Sequence, residues 1–197
     1  MSTEIFPHDL HATEPLTPTE MRNLDAVTNV LPHWNSHDIE AALAFYARDI
    51  AWSNLAMEEV YEGHSEVAGF LSSLYTGFPD MTFAVSRRFA RGDEIAEEWV
   101  MTGTHGGNYL GIPPTGRRVE IRGASLIRMR DGKFLSDDFY YDGASVMRQL
   151  GVLPPMAFVK SPAGRLGLRT ASRLRRMLMG PARLLGGGRG KQRRAGT

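Results

Sequence analysis

The chain has 197 residues, 42% of them hydrophobic and 23% charged, which is enough apolar material for one packed domain with tails. It holds no cysteine, so disulfides and thiolate metal sites are excluded, and no apolar run approaches the roughly 20 residues that span a bilayer. The formal charge of +1 hides a division: residues 1–158 carry 12 basic and 22 acidic side chains, whereas residues 159–197 carry 11 basic and none acidic.

That division predicts an acidic globular domain over residues 18–158, a disordered lead-in over 1–17 and a basic extension over 159–197. The acidic, proline-bearing N-terminus has the wrong chemistry for a secretory signal, so a soluble, cytoplasmic protein is expected. Thr17-Pro18-Thr19-Glu20 opens a helix, with Thr17 as N-cap and Glu20 completing a capping box. Leu24, Val27, Val30 and Leu31 give it an apolar face, and Pro32 closes or kinks it. A second helix is expected over 36–49, capped by Ser36, with Ile39, Leu43 and Tyr46 on one side. A short strand follows over 50–57. Helical spacing returns through Val67, Leu71, Leu74 and Tyr75, and Gly77 stops that helix.

From Met81 onward the period becomes two. Strands are predicted over 81–90, 94–105, 118–130 and 133–142, with tight turns at Arg91-Gly92-Asp93 and Arg130-Asp131-Gly132. Residues 143–153 end the domain as a short helix or turn. Three helices followed by long antiparallel strands define an α+β class, a curved sheet wrapped over helices around a cone.

The stretch "GTHGGNYLGIPPTGRRV" (Gly103–Val119), followed by "RMRDGKF" and "MRQLGVLP", resembles the SnoaL-like polyketide cyclases. These belong to the nuclear transport factor 2-like superfamily, with ketosteroid isomerase and limonene epoxide hydrolase. The resemblance covers roughly residues 20–155. It implies that the glycine- and proline-rich stretch joins two long sheet strands, a role that does not require His105. It also implies a homodimer built sheet to sheet.

Matching the family chooses the parity of the strands. Ile95, Glu97, Trp99, Met101, Gly103 and His105 then point into the cone from one strand, and Ile121, Gly123, Ser125 and Ile127 from the next. Asp137, Phe139 and Tyr141 join them from the last strand, and Trp52 and Asn54 from the first. Measured against the resemblance, several catalytic positions are replaced. The cyclases' acid/base aspartate falls at Phe139, and its neighbouring aspartate at Asp142. Their polar residues on the preceding strand fall at Gly123 and Ser125. The epoxide hydrolases' arginine and aspartate fall at Trp99 and Met101, and only their asparagine is matched, at Asn54. The isomerase's carboxylate also falls at Asn54, and its tyrosine near Val30.

Trp52, Trp99, Met101, Phe139 and Tyr141 remain as a platform for a flat apolar ligand, or as plain core. His105 is either an acid/base or a hydrogen-bonding pin for its hairpin. Asn54 or Ser125 would hold a carbonyl or oxyanion. A buried Glu97 or Asp137, its pKa raised, would replace the missing carboxylate, unless both are simply solvated or paired charges. His33, His37 and His64 lack metal-ligand spacing, so neither metal nor cofactor is expected.

Two functions follow. One is cofactor-free acid/base chemistry (cyclisation, isomerisation or epoxide opening) on an apolar natural-product or steroid-like intermediate. The other is a non-catalytic small-molecule binding module, favoured by Phe139 in the catalytic place. In the extension, Leu166, Thr170, Leu174, Met177 and Leu178 gather on one side of a helix over about 163–179, stopped by Gly180-Pro181, and Arg165, Arg169, Arg173 and Arg176 on another. The extension reads either as a disordered, solubilising tail or as an element suited to the acidic domain itself, an anionic membrane surface or nucleic acid, and nucleic acid least, for want of stacking aromatics.

Overall fold

A computed structural model describes residues 15–178, apart from the side chains of residue 168 and residues 172–178. Most of the expected lead-in, and the Gly180-Pro181 stop, lie outside the described residues. Two compact units divide between Leu153 and Pro154. In the first, helix α1 (Pro18–Asn29) starts from Thr17, whose hydroxyl accepts from the Glu20 N–H while the Glu20 carboxylate accepts from the Thr17 N–H. Pro32 ends that helix and opens the short α2 (Leu31–Asn35).

The second predicted helix is corrected. Asp38, not Ser36, caps α3 (Ile39–Leu43), and the chain turns extended far earlier than expected. His37 stands at φ 59° ahead of it, so Ser36 cannot serve as the cap. Tyr46 belongs to strand β1 (Tyr46–Asn54), where its ring is buried against Trp52 and Phe134. A short edge strand, β2 (Glu59–Glu62), was not anticipated. Then come α4 (Gly63–Gly77), whose buried face is Val67, Leu71, Leu74 and Tyr75 as its spacing predicts, and β3 (Thr82–Arg91). The strands β4 (Glu94–Thr104), β5 (Arg118–Arg130) and β6 (Lys133–Tyr141) and helix α5 (Gly143–Gln149) complete the unit.

One six-stranded sheet runs in the order β2-β1-β6-β5-β4-β3. All neighbours are antiparallel except β1 and β6, which are parallel and bring Trp52 beside Asp137 and Asn54 beside Phe139. Register breaks in β1, in β3 and between β5 and β6 bend the sheet, because an extra residue on one strand increases local twist. Its inner face meets α1, α2, α4 and α5 in a core that includes Val27, Val30, Leu71, Phe78, Ile95, Ile127 and Val146. The fold is the expected α+β class, with an open, curved sheet.

The stretch between β4 and β5 folds back on the end of α4. The Gly106 and Gly107 N–H groups both donate to the Gly77 carbonyl, at 3.0 and 3.2 Å. A Cβ on Gly107 would sit 2.0 Å from the Thr76 carbonyl oxygen, so only glycine lets the loop close onto the helix. The second unit contains α6 (Met156–Lys160) and α7 (Pro162–Leu178). Among the described residues no helix is long and apolar enough to cross a membrane.

Candidate functional site

Alternation along the strands sends one set of side chains inward, and these line a partly open cavity of about 80 Å³ between sheet and helices. Trp52, Trp99, Met101, Phe139 and Tyr141 line it, as do Ser125, Glu97 and Asp137. The helices contribute Val27, Trp34, Phe70 and Leu74, and the glycine-rich loop contributes Tyr109. Apart from the tyrosine hydroxyls, Trp N–H groups and the three polar side chains of Glu97, Ser125 and Asp137, the wall is hydrocarbon.

Asp137 is the best-held of these polar groups. Its Oδ2 accepts from Trp52 Nε1 at 2.7 Å, a short contact that fits a charge-assisted bond. Oδ1 is buried without a hydrogen-bond partner. Burial dominates the group's titration and, with the nearby Glu97 carboxylate, pushes its pKa up to about 7. The Trp52 N–H and the neighbouring Ser125 hydroxyl work in the opposite direction and do not cancel it. Ser125 is itself oriented by Trp99, whose Nε1 donates to Oγ at 3.1 Å. Gly123 makes that possible, since a Cβ there would lie 2.3 Å from the Trp99 ring. The indole occupies the space a side chain would need.

Glu97 faces the same cavity from β4. Burial raises its pKa, while Arg88 holds it down through a 2.8 Å ion pair. Arg88 also donates to Thr28 Oγ1 and the Val27 carbonyl, so the pair ties β3 and β4 to α1. Arg88 was not among the residues picked from the sequence, and neither were Trp34, Phe70 and Tyr109. The bulge between Val85 and Arg87 shifts the parity of β3, so Arg88 rather than Arg87 turns inward.

Two of the sequence-selected residues do not line this cavity. Asn54 is buried beside the Tyr61 and Tyr141 hydroxyls, with its own Oδ1 unpartnered. His105 is fully buried at the foot of the hairpin, where its ring packs against Phe78. Its Nδ1 accepts from the Thr115 N–H at 3.2 Å and lies 3.1 Å from the Thr115 hydroxyl. Accepting at Nδ1 places the proton of the neutral ring on Nε2, and burial depresses the pKa, so the ring is uncharged at neutral pH. Its main chain bridges Arg117 and Gly116 as well. The hydrogen bonds of His105 all go to the loop between β4 and β5, and its Nε2 is buried without a partner. Among the described residues no cluster of His, Asp and Glu has the arrangement of a metal site.

The fold, the inward row of aromatic residues and the buried carboxyl group define a class of small α+β proteins built around an apolar cavity. The profile of the SnoaL-like polyketide cyclase family matches residues 24–150, and the chain belongs to that family. Among solved structures, a protein from Jannaschia sp. CCS1 provisionally described as a SnoaL-like polyketide cyclase superposes with a TM-score of 0.64 at 20% identity, over 72% of this chain and 99% of its own. IdmH from Streptomyces antibioticus, provisionally a polyketide cyclase, gives 0.58 at 26% identity, over 66% and 98%. TerC, crystallised with polyporic acid, gives 0.55 at 18% identity, over 66% and 98%. No sequence among curated proteins matches.

Proposed function

We propose that the chain is a cofactor-free acid/base catalyst that moves a proton on a flat, apolar ring compound held in the cavity, with Asp137 as the group that carries it. The observation behind this reading is a buried carboxyl lining an apolar cavity, fixed at Oδ2 by Trp52 and free of partners at Oδ1, where burial pushes the pKa up to about 7. A carboxyl with that pKa is half ionised at neutral pH, so it accepts a proton in one step and returns it in the next. In a cyclisation or isomerisation it removes a proton from carbon next to a carbonyl and delivers it to another atom of the same molecule. The Ser125 hydroxyl, oriented by the Trp99 N–H that donates to its oxygen, is the donor offered to the developing oxyanion. Trp52, Phe139 and Tyr141 stack along the ring system; Phe139 and Tyr141 already lie parallel, 6.3 Å apart.

In this reading Asp137 stands in for the carboxylate that the cyclases place at the Phe139 position. The two residues share a face of β6, so one step of the strand period moves the proton carrier and keeps it inside. Among proteins of this fold, TerC was co-crystallised with polyporic acid. The chain acts as a homodimer joined through the outer face of its sheet, where Phe89, Leu126 and Tyr140 stand exposed.

The test is Asp137→Asn, which keeps an acceptor for Trp52 and removes the titrating proton. Binding of a quinone or polyketide-like ring, followed by quenching of the cavity tryptophans, is expected to persist while turnover drops by about 10²–10⁴-fold. Turnover that persists in the variant overturns the assignment. Binding without turnover in the unmodified protein supports the binding-module alternative instead.

A further inference from the structure

The chain continues well past the domain that holds the cavity. The family profile ends at residue 150, and the Jannaschia structure is covered over 99% of its length by only 72% of this chain. The second unit is therefore an addition to the fold, and it has its own order. Ser161 caps α7: its Oγ accepts from the Gly164 N–H at 3.0 Å and donates to the Phe158 carbonyl, joining α6 to α7. Pro162 occupies the first helical position.

At 3.6 residues per turn, the sequence of α7 separates into two arcs. Positions 166, 170, 174 and 177 (Leu, Thr, Leu, Met) share one, with the small residues 163, 167 and 171 beside them. Positions 165, 169, 173, 175 and 176 are all arginine and share the other with Leu168 and Ser172. No acidic residue occurs from position 159 to the end of the chain. Leu166 is 64% exposed, and Met156 and Phe158 of α6 stand out likewise.

We infer that α6 and α7 form a docking element for an anionic lipid bilayer, with α7 lying flat in the headgroup layer. A helix of 17 residues is about 25 Å long, and along that whole length it needs an apolar medium on one side and anionic, hydrated groups on the other. A bilayer surface supplies both at once, with acyl chains below the leucines and phosphates level with the arginines. Nucleic acid would satisfy the arginines and leave the apolar arc in water, and residues 159–197 contain no aromatic side chain for base stacking. An acidic protein surface has the same shortcoming.

The experiment is co-sedimentation of the full chain with vesicles of phosphatidylcholine alone or containing about 30 mol % phosphatidylserine. Binding is expected to the mixed vesicles and to be at least about tenfold weaker to the neutral ones, and raised salt should reduce it. Two variants of equal charge separate the mechanisms. Leu166→Glu with Leu174→Glu breaks the apolar arc and should lower partitioning by about 100-fold or more. Leu168→Glu with Ser172→Glu adds the same charge on the other arc and should cost about thirtyfold at most. Absence of binding to either vesicle overturns the inference. So does equal loss in both variants, which marks attachment by charge alone, and so does duplex DNA binding of equal strength that the apolar-arc variant retains.

Discussion

A carboxyl buried among tryptophans carries a signature at two pH values. With Asp137 as the proposed base, active only when ionised, kcat/KM is expected to rise with pH through about 7 and then level off. Trp52→Phe removes the N–H that stabilises the ionised form, so this limb should move upward by about one pH unit, a displacement that simple loss of packing would not produce. For stability the sign is opposite to that of an ordinary salt-bridged aspartate. The folded state holds its proton up to about 7 whereas the unfolded chain releases it near 4, so the folded state is favoured at low pH and loses that advantage as pH rises between the two values. The loss amounts to about 4 kcal/mol at most. Asp137→Asn should flatten the dependence of urea midpoint on pH across that window; an unchanged slope would show that another group is responsible. Glu97 has the weaker claim to the role, because Arg88 neutralises it from outside the cavity.

At the scale of elements, the period-two strands were legible because one face of the sheet is buried and the other is wet, which writes alternation into the sequence. Trp52, Trp99, Met101, Ser125, Phe139, Tyr141, Glu97 and Asp137 could all be placed on the cavity wall from parity once the family fixed which face turns inward. Parity failed where the backbone breaks it. The bulge in β3 swaps Arg87 for Arg88 and turns Phe89 outward, and nothing in "SRRFA" announces that. Likewise, "AFYARD" has helical spacing, but burying Tyr46 against Trp52 and Phe134 outweighs local preference and extends the chain. The loop that carries Tyr109 to the cavity is positioned by backbone hydrogen bonds to Gly77, an interaction between segments about thirty residues apart that no local pattern encodes. These elements also yield tests. His105→Gln should lower the melting temperature by about 3–8 °C, through loss of a buried hairpin contact, and leave the pH limb near 7 where it was. A displaced limb would return His105 to the chemistry. Gly123→Val should collide with the Trp99 ring, costing about 1–3 kcal/mol and loosening Ser125 from its donor.

For the whole molecule, the outer face of the sheet is the surface on which the proposed dimer would form. Phe89 is 65% exposed and Leu126 52%, and register places them in one row with Ala96 between them, with Tyr140 beside the row. The Arg87–Glu98 and Arg128–Glu94 pairs flank that row at 2.9 Å, so the face carries an apolar centre and a rim of both charges. Such a face suits a second copy of itself, because a two-fold axis sets the apolar row against its own image and lets each arginine meet a carboxylate from either chain. Exposed ion pairs contribute little by themselves, so the apolar row should decide the affinity. Leu126→Arg leaves the inner face untouched and puts like charges opposite one another across the axis. Sedimentation velocity is expected to show a dimer for the unmodified chain and a monomer for this variant, with ring binding in the cavity retained within about threefold, since Leu126 stands on the face of β5 opposite to Ser125 and the cavity. A variant that stays dimeric locates the interface elsewhere, and one that dissociates and also loses the cavity ligand shows that the curved sheet needs its twin to hold its shape.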